Sequence, residues 1–194
     1  MANSASSSAP LPSGFPKPVT HITSHRDDGK AVIYSSNENP WNMMRNNSVG
    51  LCLGYATTGF PVDLNDEADL ATYKTIAEGG KLGLVNPNGT VCRWVDLAPN
   101  AEPMMHRTQS LDYGVVLEGE VELELDDGSV TRMRKGDLAV QRATMHAWRN
   151  PSKTEWARIL FVLQDCKPLL VGGARFKEEL GTGTGELPAS GNDN

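Results

Sequence analysis

The sequence has few cysteines, no long apolar run and no excess of positive charge, and each shortage excludes a class of protein. Its three cysteines are odd in number and far apart, so we expect reduced thiols rather than a disulfide framework. No run reaches the roughly 18 apolar residues that a membrane-spanning helix needs, so no membrane partner is expected. With 18 basic against 24 acidic side chains, the formal net charge of −6 argues against a nucleic-acid partner.

The start of the chain also lacks a targeting signal. Its first twenty residues contain neither the basic region nor the apolar region of a secretory signal. Together with the reduced cysteines, this predicts a cytoplasmic protein. Only four histidines are present, so each can be considered singly. A length of 194 residues is typical of a single domain with enough chain to bury a core.

Composition divides the chain into four parts. Residues 1–17 are rich in Ser, Ala and Pro and are predicted to be disordered. Residues 18–80 are predicted to contain N-terminal strands and a helix over Asp66–Glu78, packed on a barrel formed by residues 81–170. Residues 171–194 are predicted to form a short helix and a flexible tail, because the GTGTG run has neither a strand before it nor a helix after it.

The barrel prediction depends on strand signals. From residue 82 onward, apolar runs and turn signals alternate at the spacing of an all-β sandwich or barrel. Val115–Leu125 alternates apolar and acidic residues, which predicts one half-buried strand, and Asp127-Gly128 predicts a hairpin turn after it. Ala157–Leu163 is apolar enough to be a strand buried on both faces. Arg175–Leu180 is the candidate for the C-terminal helix.

Residues 104–150 carry the most informative pattern. HRTQSLDYGVVLEG contains His106, Thr108 and Asp112, and GDLAVQRATMHAWRN contains His146. These segments resemble the two motifs of the cupin superfamily, whose members are small β-barrels built as a double-sheet jelly roll. In this resemblance His106 and His146 occupy histidine positions, Thr108 replaces the second histidine, and Asp112 replaces a glutamate. An all-β jelly roll with one or two short helices is therefore expected.

Two kinds of site fit these residues. Two imidazoles and one carboxylate are the donors of the site that binds non-haem iron and leaves positions open for substrate. His106, Asp112 and His146 are thus candidate ligands of one divalent transition metal, and such donors do not select among Fe, Mn, Ni and Zn. The same residues also suit a metal-free site. There the histidines act as acid and base, and Asp112 orients an imidazole or acts itself.

A closer resemblance narrows the expected function. HRTQSLDY, LEGE and VQRATMHAW are similar to stretches of small single-domain fungal cupins encoded beside polyketide-type biosynthetic genes. This resemblance implies a cupin oxidoreductase that tailors a small-molecule substrate in secondary metabolism. The alternatives are a metal-independent dehydratase, isomerase or decarboxylase in the same type of pathway, and a non-catalytic small-ligand-binding cupin. Single-domain cupins resemble one another in forming homodimers, for which the run Val19–Ser35 is the candidate contact.

Other residues remain without an assigned reaction. His21 and His25 match no motif and are predicted to lie at the surface or in a dimer contact, and alternation predicts that Tyr113 points outward. Four residues beside the motifs could either reach the substrate or serve the structure: Arg107, Gln141, Arg142 and Trp148.

Overall fold

A computed structural model of the chain describes residues 9–181 and 187–192. The first part of the segment predicted to be disordered, residues 1–8, lies outside the described residues. So do residues 182–186 and 193–194 of the predicted tail. Among the described residues, no helix is both long and apolar enough to cross a membrane.

The chain divides into two compact units after Glu38. In the first unit, β1 (Val19–His25) and β2 (Ala31–Glu38) pair as an antiparallel hairpin and form a two-stranded sheet of their own. Gly29 adopts a φ of 78° in the connecting turn, a conformation that favours glycine. The hairpin carries three exposed large apolar side chains: Val19, Ile33 and Tyr34.

The second unit contains the remaining strands and the α-helix. They are β3 (Trp41–Met44), β4 (Val49–Thr58), α1 (Ala68–Gly79), β5 (Gly89–Leu97), β6 (Ser110–Glu118), β7 (Glu120–Leu125), β8 (Val130–Arg134), β9 (Leu138–Arg142), β10 (His146–Arg149), β11 (Ala157–Asp165), β12 (Leu169–Val171) and β13 (Ala174–Phe176). A 3₁₀ turn, Asn65–Glu67, precedes α1.

These strands form two larger sheets that share one core. The six-stranded sheet has the order β3-β4-β5-β11-β6-β9, and the three-stranded sheet has the order β10-β7-β8. Val91, Val116 and Ile159 of the larger sheet belong to the same buried cluster as Val121 and Met133 of the smaller one. The predicted all-β jelly roll is confirmed.

The six-stranded sheet begins earlier in the chain than residue 81, where the sequence suggested that the barrel starts. β3 and β4 are hydrogen-bonded members of this sheet. In β4, Val49 and Leu53 pack against the core, and they alternate with the small buried residues Gly50, Cys52 and Gly54 on the other face. At Gly54 a Cβ would lie 2.8 Å from the Trp94 ring, which shows why the position is small.

One predicted strand is divided between the two sheets. Val115–Leu125 reads as continuous in sequence, but β6 ends at Glu118 and β7 begins at Glu120. Gly119 between them has a φ of 73°, and a Cβ there would lie 2.8 Å from the Trp156 carbonyl oxygen. This glycine therefore lets the chain leave one sheet and enter the other.

The helix predictions have different outcomes. α1 confirms the predicted helix over Asp66–Glu78, and it ends at Gly80 with a φ of 62°. The prediction of a helix over Arg175–Leu180 is wrong, because β13 pairs with β12 there. The connecting Gly172 and Gly173 both adopt positive φ, so the two short strands form a hairpin.

The described end of the tail is also more ordered than its composition suggests. Ser190 is buried, and its hydroxyl accepts a hydrogen bond from the Val85 amide at 3.0 Å. The Asn192 side chain donates to Asp165 at 2.6 Å, and the Asn192 backbone carbonyl accepts from the Gln109 side chain at 2.7 Å. The prediction of a flexible tail is therefore wrong for residues 187–192. From the sequence alone, such polar residues would be expected to face solvent, but here they form hydrogen bonds within the folded chain.

Candidate functional site

Two histidines predicted as site residues lie side by side. His146 is the first residue of β10, and His106 precedes β6. Each donates its backbone amide to the other's carbonyl oxygen at 2.9 Å, which is the reciprocal bonding of an antiparallel pair. Side chains of residues that are directly opposite in such a pair are neighbours. Accordingly, the two imidazole centroids are 4.3 Å apart.

Backbone carbonyls determine the tautomer of both rings. The Nδ1 atom of His106 lies 2.9 Å from the Met104 carbonyl oxygen, and that of His146 lies 2.9 Å from the Thr144 carbonyl oxygen. A carbonyl only accepts hydrogen bonds, so each Nδ1 carries the proton. Each neutral ring then presents the lone pair of its Nε2 atom.

Burial keeps both rings neutral. It lowers the pKa of His106 below the ordinary histidine value. For His146, burial is again the main cause, followed by the neighbouring charge of protonated His106, and together they lower the pKa to about 3. The pair therefore has uncharged bases available at neutral pH.

Asp112 lies on the inward face of β6 within a set of hydroxyl groups. Its Oδ1 atom accepts a hydrogen bond from Ser110 at 2.5 Å, and its Oδ2 atom lies 3.4 Å from the Thr108 hydroxyl. Burial raises the pKa of Asp112 to about 6, although these hydrogen bonds act in the opposite direction. Thr108, which replaces the motif's second histidine, thus contacts the carboxylate.

Gln141 lies between Asp112 and His146. Its Nε2 atom is 3.3 Å from Asp112 Oδ2 and 2.8 Å from His146 Nε2. An amide nitrogen has two hydrogens, so one donates to the carboxylate and the other to the imidazole. The sequence left the role of Gln141 open. The available signal was its inward position on β9, two residues after the buried Ala139.

These groups line a cavity of about 120 Å³ in the second unit. That volume is close to the roughly 150 Å³ of an engineered apolar cavity that holds a benzene ring. The polar lining residues are Arg45, Arg93, Glu102, His106, Asp112, Gln141 and His146. The apolar lining residues are more numerous: Met44, Val49, Leu51, Leu84, Val95, Leu97, Met104, Trp148, Ile159, Phe161, Leu163 and Leu187.

Comparison with known proteins assigns the family. The Cupin_2 family model, described as a cupin domain, matches residues 93–163. The chain is 43% identical over 168 residues to the oryzines biosynthesis cluster protein J of Aspergillus oryzae, covering 86% of this chain and 93% of that protein. The chain belongs to the cupins.

Two further relatives of this cupin also come from fungi. Phomopsin biosynthesis cluster protein D of Diaporthe leptostromiformis is 44% identical over 140 residues, covering 72% of this cupin and 74% of that protein. A cupin-domain-containing oxidoreductase of Hypocrea virens, virC, is 39% identical over 175 residues, covering 89% and 88%. The resemblance to fungal cupins of biosynthetic gene clusters is confirmed.

The predicted ligand set of this cupin does not meet as a metal site. Among the residues that the structure describes, no three His, Cys, Asp or Glu side chains are grouped so that they could hold a metal ion. The Gln141 amide lies between Asp112 and His146, and the Asp112 carboxylate already accepts hydrogen bonds from its own network. In this arrangement the residues do not fit a site of two histidines and one carboxylate.

The arginines and the tryptophan near the motifs divide between the cavity and the surface. Trp148 lines the cavity and meets the Phe161 ring edge-on, with centroids 5.3 Å apart. Arg107 instead pairs with Glu179 at 3.1 Å and lies over the Phe176 ring. The remaining arginine in this group, Arg142, is exposed on β9 and does not line the cavity.

The other two histidines belong to the first unit, and Tyr113 is exposed on the second. The Nδ1 atom of His21 is 2.8 Å from the Ser36 hydroxyl within the β1–β2 hairpin, and His25 is exposed at the end of β1. Tyr113 is exposed on β6, as its alternation with Asp112 predicts.

Sequence reasoning missed Arg93 altogether. This arginine is buried on β5 and lines the cavity. The signal that marks it is position, because it lies between Val91 and Val95 on the inward face of a strand that also buries Leu97. A charged residue in such an apolar row calls for an explanation.

Proposed function

We propose that this cupin is a tailoring enzyme of fungal secondary metabolism that works as a cytoplasmic homodimer and moves a proton beside a carbonyl of a small-molecule substrate. Relatives named as biosynthesis cluster proteins support the metabolic setting. The apolar cavity with a few converging polar groups supports a small-molecule substrate. The reactions of this class are dehydration, isomerisation and decarboxylation.

The observation that carries the proposal is the Gln141 bridge between Asp112 and His146. Because Gln141 donates to both groups, it links Asp112 and His146 by hydrogen bonds. Gln141 holds His146 in place, and His146 in turn lies against His106. Such preorganised groups in a buried site favour proton transfer.

His106, whose ring lies against His146, is the candidate base. Its Nδ1 proton is donated to the Met104 carbonyl, so the Nε2 lone pair remains to accept a proton from carbon. The products of that step are an imidazolium on His106 and an enolate on the substrate. Returning the proton to another atom of the enolate completes an isomerisation. If the His106 imidazolium instead protonates a hydroxyl on the adjacent carbon, that group leaves as water and a dehydration is complete.

An oxidoreductase is the second candidate, because relatives that are 34% to 39% identical are named cupin-domain-containing oxidoreductases. Metal-assisted oxidation by His106, Asp112 and His146 would require Gln141 to move away from between the last two. Metal analysis of the purified protein therefore separates the two candidates.

The test combines metal analysis with hydrogen exchange. Phenylacetone is incubated with the protein in D₂O and excess chelator, and NMR follows deuterium incorporation beside the carbonyl. We expect exchange to persist in chelator and to fall by about 100-fold or more in His106→Ala, since general acid–base catalysis contributes about 10²–10⁴-fold. His25→Ala, an exposed histidine on β1, is the matched control and should retain the wild-type rate.

Two results would overturn the proposal. A stoichiometric transition metal that is lost in His106→Ala, with exchange abolished by chelator, would favour the oxidoreductase. No exchange and no metal in folded wild-type protein would favour a non-catalytic ligand-binding cupin.

A further inference from the structure

Proton transfer by the histidine pair assigns no role to a buried arginine that lines the cavity. Arg93 lies in the middle of β5 and is only 6% exposed. Its cross-strand neighbours are Leu53 on β4 and Phe161 on β11, so apolar residues flank it on both sides. Burying a cation in such surroundings is costly unless it is paired.

A second buried arginine in the same sheet forms an ion pair with a carboxylate. Arg158 on β11 bonds to both carboxylate oxygens of Asp96 on β5, at 2.6 and 2.8 Å. Arg93 has no such partner: among the described residues, no carboxylate lies within ion-pair distance of it. Asp112 is close enough to interact electrostatically, but its oxygens are engaged by Ser110 and Gln141.

The hydrogen bonds of Arg93 are also incomplete. Its Nη2 atom donates to the carbonyls of Gly83 and Leu84 at 2.7 and 3.1 Å, which anchors the guanidinium. Its Nε–H group is buried and has no partner among the described residues. Burial lowers the pKa of Arg93 to about 10, so the side chain is still a cation at neutral pH.

The other cavity-lining groups indicate which kind of ligand could pair with the Arg93 guanidinium. The Trp148 Nε1–H group is likewise buried without a partner among the described residues, and Arg93 and Trp148 both line a mainly apolar cavity. One buried acceptor, Gln141 Oε1, is also unpartnered. An anionic group with acceptor oxygens, attached to an apolar body, matches this combination. Planar guanidinium and planar carboxylate are complementary in geometry.

We propose that the cavity binds a carboxylic acid whose carboxylate pairs with Arg93 and whose body is a ring-sized apolar group. This inference deepens the proposed function, since it assumes that the cavity is the substrate site. The apolar body packs against Leu84, Ile159 and Phe161, which line the cavity beside the guanidinium. The proposed substrate class is therefore a small apolar acid that also carries the reacting carbonyl.

The test uses two probes of nearly the same shape that do not react, one an anionic carboxylate and the other a neutral amide. Isothermal titration at pH 7 compares benzoate with its neutral isostere benzamide. We expect wild-type protein to bind benzoate at least about tenfold more tightly, since a paired buried charge is worth more than the 1.4 kcal/mol that tenfold requires. Arg93→Gln should lose this preference and leave the benzamide affinity within about twofold. Arg142→Gln removes an exposed arginine outside the cavity and should behave as wild type.

Wild-type protein alone also provides an answer if Arg93→Gln does not fold. With ¹⁵N-labelled arginine, benzoate should shift a buried Nε–H resonance that shows contacts to Gly83 and Leu84, whereas benzamide should leave it in place. Equal affinities for the two probes, or benzoate binding that is unchanged in folded Arg93→Gln, would overturn the inference.

Neither probe has a hydrogen on carbon beside its carbonyl, so the titration is independent of catalysis. Benzoate selectivity without phenylacetone exchange would therefore contradict only the proposed reaction. Exchange without benzoate selectivity would contradict only the acid-binding role of Arg93.

Discussion

His146 is a buried base whose folded-state pKa is about 3, well below the value of 6.5 for an ordinary histidine. Protonation therefore favours the unfolded chain. The stability that this group contributes is present above pH 6.5 and is lost as the pH falls from 6.5 towards 3. Asp112 acts in the opposite direction, because its folded pKa is raised to about 6. Its contribution is present below pH 3.8 and is lost as the pH rises through 6.

We expect the His146→Gln variant to lose less stability than wild type between pH 6.5 and 5. One histidine that must charge on unfolding contributes a slope of up to about 1.4 kcal/mol per pH unit, and the substitution removes it. Urea unfolding in chelator at pH 7, 6 and 5 measures the difference. His25→Gln, at an exposed site, should keep the wild-type slope. Parallel curves for wild type and His146→Gln would contradict the neutral, buried state of His146.

At the same scale, the sequence could locate only part of the candidate site. The motif pointed to His106 and His146, and the structure places them in contact. The sequence left the role of Gln141 open and missed Arg93, because a polar residue in a strand gives the same local pattern whether it faces water or a cavity. Which way these side chains point is determined only by how β5 and β9 each pair with their own neighbouring strands in the sheet.

Gly119 connects the two sheets, and its conformation is incompatible with a larger residue. The φ of 73° disfavours any side chain, and a Cβ would lie 2.8 Å from a backbone oxygen of Trp156. Gly128, in the β7–β8 turn, has a φ of 83° but nothing within 4 Å of a Cβ. Alanine substitutions at these two glycines therefore separate two free-energy costs: that of a positive φ, which both positions have, and that of a steric clash at Cβ, which only Gly119 has.

We expect Gly119→Ala to lower the free energy of unfolding by at least about 2 kcal/mol, and Gly128→Ala by about 1 kcal/mol, because a left-handed residue costs about 1–2 kcal/mol before any clash. Denaturant midpoints of the two variants give the comparison. An equal loss in both would show that the chain near Trp156 moves aside easily and that Gly119 is needed only for its φ.

Element predictions succeeded where local signals and tertiary pairing agreed. Ala157–Leu163 is apolar except for Arg158 and forms the central strand β11, and Asp127-Gly128 forms the turn after β7. Arg175–Leu180 failed because its helix-forming residues follow a Gly-Gly turn that directs the chain into a hairpin. There the turn outweighed the helix propensity of a short segment.

For the whole molecule, the β1–β2 hairpin is the candidate contact surface of the predicted homodimer. The β1–β2 hairpin forms a two-stranded sheet of its own, and such a sheet is marginally stable in water without further packing. Val19, Ile33 and Tyr34 on this hairpin are exposed apolar residues, and Ile33 is 60% exposed. A second copy of the chain is the partner that the sequence resemblance predicts for this surface.

Light scattering at micromolar concentration should give twice the chain mass of 21.0 kDa. We expect Ile33→Lys to yield a folded monomer, because a charge in the contact would be buried without a partner. Leu170→Lys, at an exposed apolar position on β12, is the control and should remain a dimer. A monomeric wild type, or a dimer that persists in Ile33→Lys, would contradict this role of the hairpin.

The sequence by itself determined the family and the all-β class, because motif spacing, turn residues and apolar alternation are local properties. It also singled out His106 and His146 among the four histidines. Only the tertiary structure decided that Gln141 separates Asp112 from His146 and that Arg93 is buried without an acid partner. The physical reason is that both facts depend on which strands pair and in which register. Those contacts lie far apart in the chain, and no local pattern records them.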